Sequence, residues 1–364
     1  MKIPMRLILL AGGTFAAIGL AVFWMGLINV GASTGHWAIT DWVLHTAMRR
    51  SVAFRADQPV PPDYPAPAMV RRGAAHFEAG CAYCHGSPMM ERSPVVLAMT
   101  PAPPDLSPRI AEWNAEELFW IVKNGVKFTG MPAWPAENRD DEVWSVVAFL
   151  EQLPKLTATE YRNLAYGSSD EAIEKETSLT QHGTVPSAIL EDCVRCHKAN
   201  GRGDPNGAFP RLDIQQEPYL LAALEAYAEG RRSSGIMQLA VSGLTRRDLE
   251  LLAKHFATFD RNVVGLEDDT GTEPQSERGR QIALHGIPAE NIAACTGCHG
   301  QANPAFPRLN GQYRQYLESQ LQLFSEGTGR GGGRFIELMT TSAHRLRHSD
   351  IDAVALWYSS RPVD

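Results

Sequence analysis

Cys81-Ala-Tyr-Cys84-His85, Cys193-Val-Arg-Cys196-His197 and Cys295-Thr-Gly-Cys298-His299 are the stretches on which the reading of this chain turns. Between them they use all 6 cysteines. Two thiols three positions apart share one helical turn, where both can reach the vinyl groups of one porphyrin, and the adjoining imidazole can reach its iron. A zinc site would gather four ligands round one ion and gives no reason for a histidine directly after each pair. A thioredoxin-like redox pair belongs at a strand-to-helix turn of a βαβ unit, and no strand-rich βαβ pattern is present. A disulfide inside each pair would close a tiny, strained loop. The spacing therefore predicts three covalently attached haem c groups, one per motif.

The motifs begin 112 and 102 residues apart, one small helical domain each, and the chain between them repeats. Phe209-Pro210-Arg211-Leu212 follows the second motif and Phe306-Pro307-Arg308-Leu309 the third. Beyond each proline stand a tyrosine (Tyr219, Tyr316), an aromatic ring (Tyr227, Phe324) and a glycine (Gly230, Gly327) at matching distances. Further on come Met237 and Met339, with Leu244 and Leu346, Asp248 and Asp350, and Phe256 and Tyr358 in step after them. The first unit is more divergent, but Pro104-Asp105-Leu106 keeps the proline element, and Met131 follows Pro104 by the 27 residues that separate Met237 from Pro210. Apolar residues at three- and four-residue spacing predict helices over 115–126, 141–150, 221–227, 248–256, 318–324 and 349–358. Asp248 and Asp350 suit helix starts.

From about residue 68 onward the chain resembles the class I c-type cytochromes, and residues 190–360 resemble in particular the two-haem, high-potential periplasmic members. The resemblance implies an all-α fold: three tandem cytochrome c domains behind an N-terminal transmembrane helix, over 68–156, 157–265 (with a linker at its start) and 273–364. It implies that the iron is held by His85 and Met131, by His197 and Met237, and by His299 and Met339. The thiols of Cys81, Cys84, Cys193, Cys196, Cys295 and Cys298 complete the cofactor-binding set. Met89, Met90 and Met99 fall too soon after His85 to let the chain wrap round a haem. In the family the proline carbonyl accepts a hydrogen bond from Nδ1 of the axial histidine and so fixes the ring, a role that falls here to Pro104, Pro210 and Pro307; a ligating imidazole needs some such partner.

Residues 7–30 are uncharged and apolar behind Lys2 and Arg6. About 20 such residues span a bilayer, whereas a signal-peptide core is about 7–15. A retained anchor over 1–35 is the reading adopted, with cleavage near Val30-Gly31-Ala32 as its rival. Residues 36–67 then form a juxtamembrane segment, where Trp37 and Trp42 suit either the membrane interface or the first domain, and a stiff proline-rich linker. The charged stretches 156–181 and 266–277 read as connectors. Net charge is −7, from 34 basic and 41 acidic residues, so the basic footprint of a nucleic-acid binder is missing. Arg330, Arg334, Arg345 and Arg347, with His344 and His348, make a basic group round Met339, suited to haem propionates or to an acidic redox partner. His36, His45, His76, His182, His255 and His285 have no motif context and read as surface or structural.

Histidine and methionine together fill both axial positions of an iron, and methionine raises its potential. The expectation is thus an electron carrier and not an enzyme: a trihaem cytochrome at the bacterial inner membrane, with haem domains in the periplasm. The resemblance implies redox-protein partners, namely a quinol-oxidising complex or periplasmic dehydrogenase upstream and a terminal oxidase downstream. The alternative is the cytochrome subunit of a membrane-bound alcohol or sugar dehydrogenase passing electrons to quinone. An enzymatic haem, as in a peroxidase or a thiosulfate-oxidising cytochrome, would need a vacant or unusual axial position.

Overall fold

The structure, a computed structural model, describes residues 4–167, 185–259, 273–300, 303–327, 330–333 and 335–363; His182 and Arg334 and most of both charged connectors lie outside them. Among the described residues every regular element is helical, and β-pairing is confined to three isolated bridges. The all-α expectation holds. Met5–Trp24 is a 20-residue helix of mean hydropathy 2.1 with no buried residue, long and apolar enough to cross a bilayer.

Three apolar cores follow, one round each Cys-x-x-Cys-His motif. In the first unit, helix Pro67–Gly80 lies across helix Asp140–Leu150. Phe77, Phe119, Trp144, Phe149 and Tyr161 fill the space beneath, with Phe119 and Trp144 stacked at 4.6 Å. Full burial of a ring such as Phe77 or Phe149 contributes about 2 kcal/mol. The crossing is possible because Gly73 stands in it: any Cβ there would run into the Ser145 carbonyl and Phe149. The third unit repeats the device, with helix Glu273–His285 crossing His348–Ser359 and Gly279 set against the Ala353 carbonyl and Trp357. Mid-helix glycine costs about 1 kcal/mol in propensity, which the close approach of two helices offsets. In the second unit, Ser187–His197, Glu217–Ala228 and Arg246–Ala257 enclose Leu190, Val194, Leu220, Leu252 and Phe256.

Several local readings change. Residues 38–55, expected as part of a juxtamembrane segment, form a helix tied to the first unit by Arg49, which pairs with Glu112 at 2.7 Å and lies over the Trp113 ring. Trp37 and Trp42 do not pack on that unit; they are 80% and 63% exposed. The connector assigned to the second domain begins with helix Ala158–Tyr166, which belongs to the first core: Tyr161 is fully buried there, and Tyr161 and Tyr166 both bond Glu78. Asp248 is the third residue of its helix and closes a capping box with Thr245, whereas Asp350 caps nothing and instead pairs, buried, with Arg278 at 2.9 Å. The basic group round Met339 also divides. Arg347 pairs with Glu290 at 2.7 Å and Arg345 donates to its carbonyl, while Arg330 turns inward.

The units are docked, in two different ways. Between the second and third, Arg308 N–H donates to Gln215 Oε1 at 2.9 Å and Gln215 Nε2 donates to the Arg308 carbonyl at 2.9 Å. Arg211 and Gln312 make the same pair of bonds at 3.0 Å each. Gln215 and Gln312 occupy the same repeat position, as do Arg211 and Arg308, so this joint is a local two-fold. Between the first and second units the contacts are not reciprocal. Arg71 pairs with Asp204 at 3.3 Å and lies over the Phe209 ring, Arg139 donates to the Ser233 carbonyl at 2.7 Å, and the buried carboxylate of Glu142 accepts from Ser234 Oγ at 2.5 Å and Gly235 N–H at 2.7 Å.

Candidate functional site

Each motif histidine is held as the family resemblance implied. His85 Nδ1 lies 3.0 Å from the Pro104 carbonyl, His197 Nδ1 3.3 Å from that of Pro210, and His299 Nδ1 3.0 Å from that of Pro307. A carbonyl can only accept, so Nδ1 carries the proton in each ring and Nε2 keeps the lone pair that a metal needs. Burial favours the same neutral form: it draws His197 down to about 4 and lowers His85 and His299. The ring of His197 stands edge-on to Phe209 and that of His299 to Phe306, the aromatic residues directly before the two prolines.

The two-fold joint brings the second and third sites into one space. A cavity of about 410 Å³ is lined by Cys193, Cys196, His197 and Met237 of one unit and by Cys295, Cys298, His299 and Met339 of the next. Its remaining walls are largely apolar, among them Leu220, Leu252, Phe256, Phe324, Leu346 and Tyr358. Met237 is carried by helix Gly235–Val241 and Met339 by Ile336–Ala343, and both line the cavity. Met131 lies outside this cavity, in the loop after helix Ala115–Asn124, where its carbonyl accepts from Val126 N–H at 3.2 Å and its N–H donates to Thr129 Oγ1 at 3.1 Å. Met99 reaches the same loop, its methyl against Gly130.

The residues fit haem c on three counts. All the thiols are free, and burial pushes those of Cys81 and Cys193 up to about 12 and those of Cys196 and Cys295 up to about 11, so these four stand protonated. The cavity is apolar enough for a porphyrin face. Arginines also line it, and two of them, Arg232 and Arg330, pair with no carboxylate among the described residues. Arg232 bonds the hydroxyls of Tyr219 and Tyr316 at 3.4 Å each and lies over the Tyr227 ring, and Arg330 reaches Gln320 at 2.7 Å. Burial, and then the neighbouring Arg232, pull the Arg330 guanidinium down to about 10. Inward-facing cations need an anion, and the propionates of a haem supply one. The sequence had signalled Arg330 through the basic group round Met339 but missed Arg232, whose signal was its place near the matching point of the second repeat.

The family described as cytochrome c oxidase, cbb3-type, subunit III matches residues 68–150, and the family described as cytochrome c matches residues 187–248. A thiosulfate dehydrogenase electron acceptor from Thiomonas intermedia is 30% identical over 175 residues, covering 47% of this chain and 79% of that protein. Cytochrome c4 from Pseudomonas aeruginosa is 34% identical over 168 residues, covering 45% of this chain and 80% of that protein. A solved cytochrome c4 structure from Acidithiobacillus ferrooxidans matches at 28% identity and a TM-score of 0.41, over 48% of this chain and 99% of that one. With its attachment motifs, its proline-held histidines and these relatives, the chain belongs to the class I c-type cytochromes, as a multihaem protein that binds haem c and transfers electrons between redox proteins.

Proposed function

We propose that this chain is a membrane-anchored trihaem electron carrier, with irons ligated by His85 and Met131, His197 and Met237, and His299 and Met339. The observation that carries this reading is the cavity shared by two complete Cys-Cys-His-Met sets, with the first motif's histidine, His85, held in the same way by Pro104. When bound, haem c supplies a one-electron centre whose potential methionine ligation raises. The chain's residues orient the imidazoles, and would present the thioethers to the iron and neutralise the propionates, so that the protein would pass electrons without acting on a substrate. The helix Met5–Trp24 ties it to the bacterial inner membrane, with the haem domains in the periplasm. Its route runs from a quinol-oxidising complex or a periplasmic dehydrogenase toward a terminal oxidase, a direction supported by the match of the first unit to an oxidase-subunit family.

A second reading has its own support. Two relatives are described as electron acceptors of thiosulfate dehydrogenase, which favours a chain that takes electrons directly from a periplasmic dehydrogenase. Haem content, a redox titration and identification of the subunits that co-purify with the full-length protein separate the two. Three haems per chain, all low-spin and insensitive to cyanide, with an oxidase in the complex, are expected. A dehydrogenase recovered in place of the oxidase would select the second reading, and a cyanide-sensitive high-spin haem would overturn the carrier assignment. Met339→Ala should open one iron and lower its potential; an unchanged spectrum would remove that ligand from the scheme.

A further inference from the structure

The helices that carry Met237 and Met339 occupy equivalent places in the repeat but begin differently. Helix Ile336–Ala343 follows Phe335 and has no side-chain cap. Helix Gly235–Val241 follows Ser234, whose Oγ accepts from the Met237 N–H at 3.1 Å. That hydroxyl in turn donates to Glu142 Oε1 at 2.5 Å, and the Gly235 N–H donates to Glu142 Oε2 at 2.7 Å. Glu142 belongs to the first unit and is 2% exposed. It is held in place from its own side by Arg139 at 2.9 Å and by Trp134 Nε1 at 3.3 Å. Trp134 lies three residues beyond Met131, and its indole covers Gly235 so closely that a Cβ there would run into the ring.

We propose that Glu142 is a positioning residue for the second haem: from the first unit, it seats the helix that presents Met237 to the iron. The inference rests on the reading of Met237 as an axial ligand. The physical basis is the first turn of a helix, whose N–H groups lack partners and whose positive end favours a carboxylate. A hydrogen bond to a charged, buried acceptor is stronger than one to a neutral group, so the Ser234–Gly235 turn is fixed more firmly than the uncapped turn before Met339. The second iron's thioether bond therefore depends on the first unit being docked, and the third iron's does not.

The test is the long-wavelength methionine-to-iron band and the three reduction potentials of the full-length haem-loaded protein. Met237→Ala should remove roughly a third of the band, the share of one haem in three. Glu142→Ala should remove most of that same share and lower one potential, leaving the other two unchanged. The double variant should lose no more than Met237→Ala alone, because both act on one bond. Glu142→Gln, close in shape and able to fold where the alanine variant fails, should raise the fraction of the second iron lacking its thioether about tenfold, the loss of one charge-assisted bond, and retain more of the band than alanine does. Arg71→Ala, which breaks a different contact across the same joint, should keep the band. If Met237→Ala removes its share while both Glu142 variants keep it, the inference is wrong; it is equally wrong if Arg71→Ala loses the band as Glu142→Ala does. An unchanged band in Met237→Ala overturns the ligand reading itself, before Glu142 is reached.

Discussion

At the joint between the second and third units, Gln215 bonds the backbone of Arg308 as Gln312 bonds that of Arg211. At the joint between the first and second, the contacts are unlike one another: the carboxylate of Glu142 takes donors from both sides, Arg71 and Arg139 reach into the second unit, and Arg195 reaches back over the Tyr166 ring. The first arrangement is what two copies of one repeat make when they meet face to face: any favourable contact occurs twice. The second joins dissimilar partners, and it uses charges whose burial is tolerable only while they stay paired. Amide-to-backbone bonds give a joint that tolerates change in pH and salt. The ion-paired joint is the one that chemistry can open.

The largest expected effect falls on that second kind of contact. Arg139 makes two bonds to Asp141 at 2.8 Å each, pairs with Glu142 and donates to Ser233. Arg139→Ala would strand Glu142 in a buried site, where desolvation already pushes its carboxyl above the usual range. The cost should be about 3–5 kcal/mol, read as a shift of the denaturant midpoint followed by haem absorbance. A change below about 0.5 kcal/mol, the size of an ordinary surface substitution, would show that the charges do not hold this joint.

Next in size is a test of the reciprocal joint. Gln312 is 2% exposed, and its removal takes away the bonds to the N–H and carbonyl of Arg211; Gln215→Ala would take away the matching two bonds to Arg308. At about 1–3 kcal/mol per stranded group, the two groups put the cost of each variant at about 2–6 kcal/mol. The sharper expectation is equality: the two variants should agree to within about 1 kcal/mol, within the scatter of such measurements between sites. A clear difference would show that the two-fold is one of shape and not of energy.

These two joints also mark how far the sequence could be read. The repeat that aligned Pro210 with Pro307 carries Gln215 and Gln312 at matching positions, so the symmetric joint was latent in it, although only the structure shows that the two glutamines cross over. The motif histidines and the all-helical fold were legible because each is a local pattern with a regular spacing, whereas the proline carbonyls, 19, 13 and 8 residues after their histidines, followed from the family resemblance. Glu142 was not. It lies in an apolar helical stretch where its charge reads as one more residue of an acidic first turn, with Asp140 and Asp141, and only the docking of a second unit turns it inward. Tyr161 was missed for a related reason: a short helix after a polar start reads as connector until Glu78 and the core of Phe77 and Phe149 are seen to receive it. Gly73 and Gly279 fall on helices that the apolar spacing did not predict, and their pairing with the Ser145 and Ala353 carbonyls required the crossing itself.

The smallest expected effect concerns pH and again separates the joints. His76 is buried against Trp134, with ring centroids 4.6 Å apart, at the edge of the first joint where Gly80 meets Leu239. Burial lowers it from 6.5 to about 4. The folded protein thus holds this ring neutral at pH values where the unfolded chain protonates it. Between pH 6.5 and about 4 the unfolded state binds the extra proton, so the contribution of neutral His76 is complete above pH 6.5 and is lost as the pH falls. One pH unit into that window the loss is about 1.4 kcal/mol, the free energy of a tenfold change in proton activity. His76→Phe, which keeps an aromatic ring beside Trp134 and cannot protonate, should flatten that limb of the stability profile, and Gln312→Ala should leave its slope as it is. An unaltered slope in His76→Phe would mean that acid acts elsewhere, and that the two joints do not differ in their response to protons through this ring.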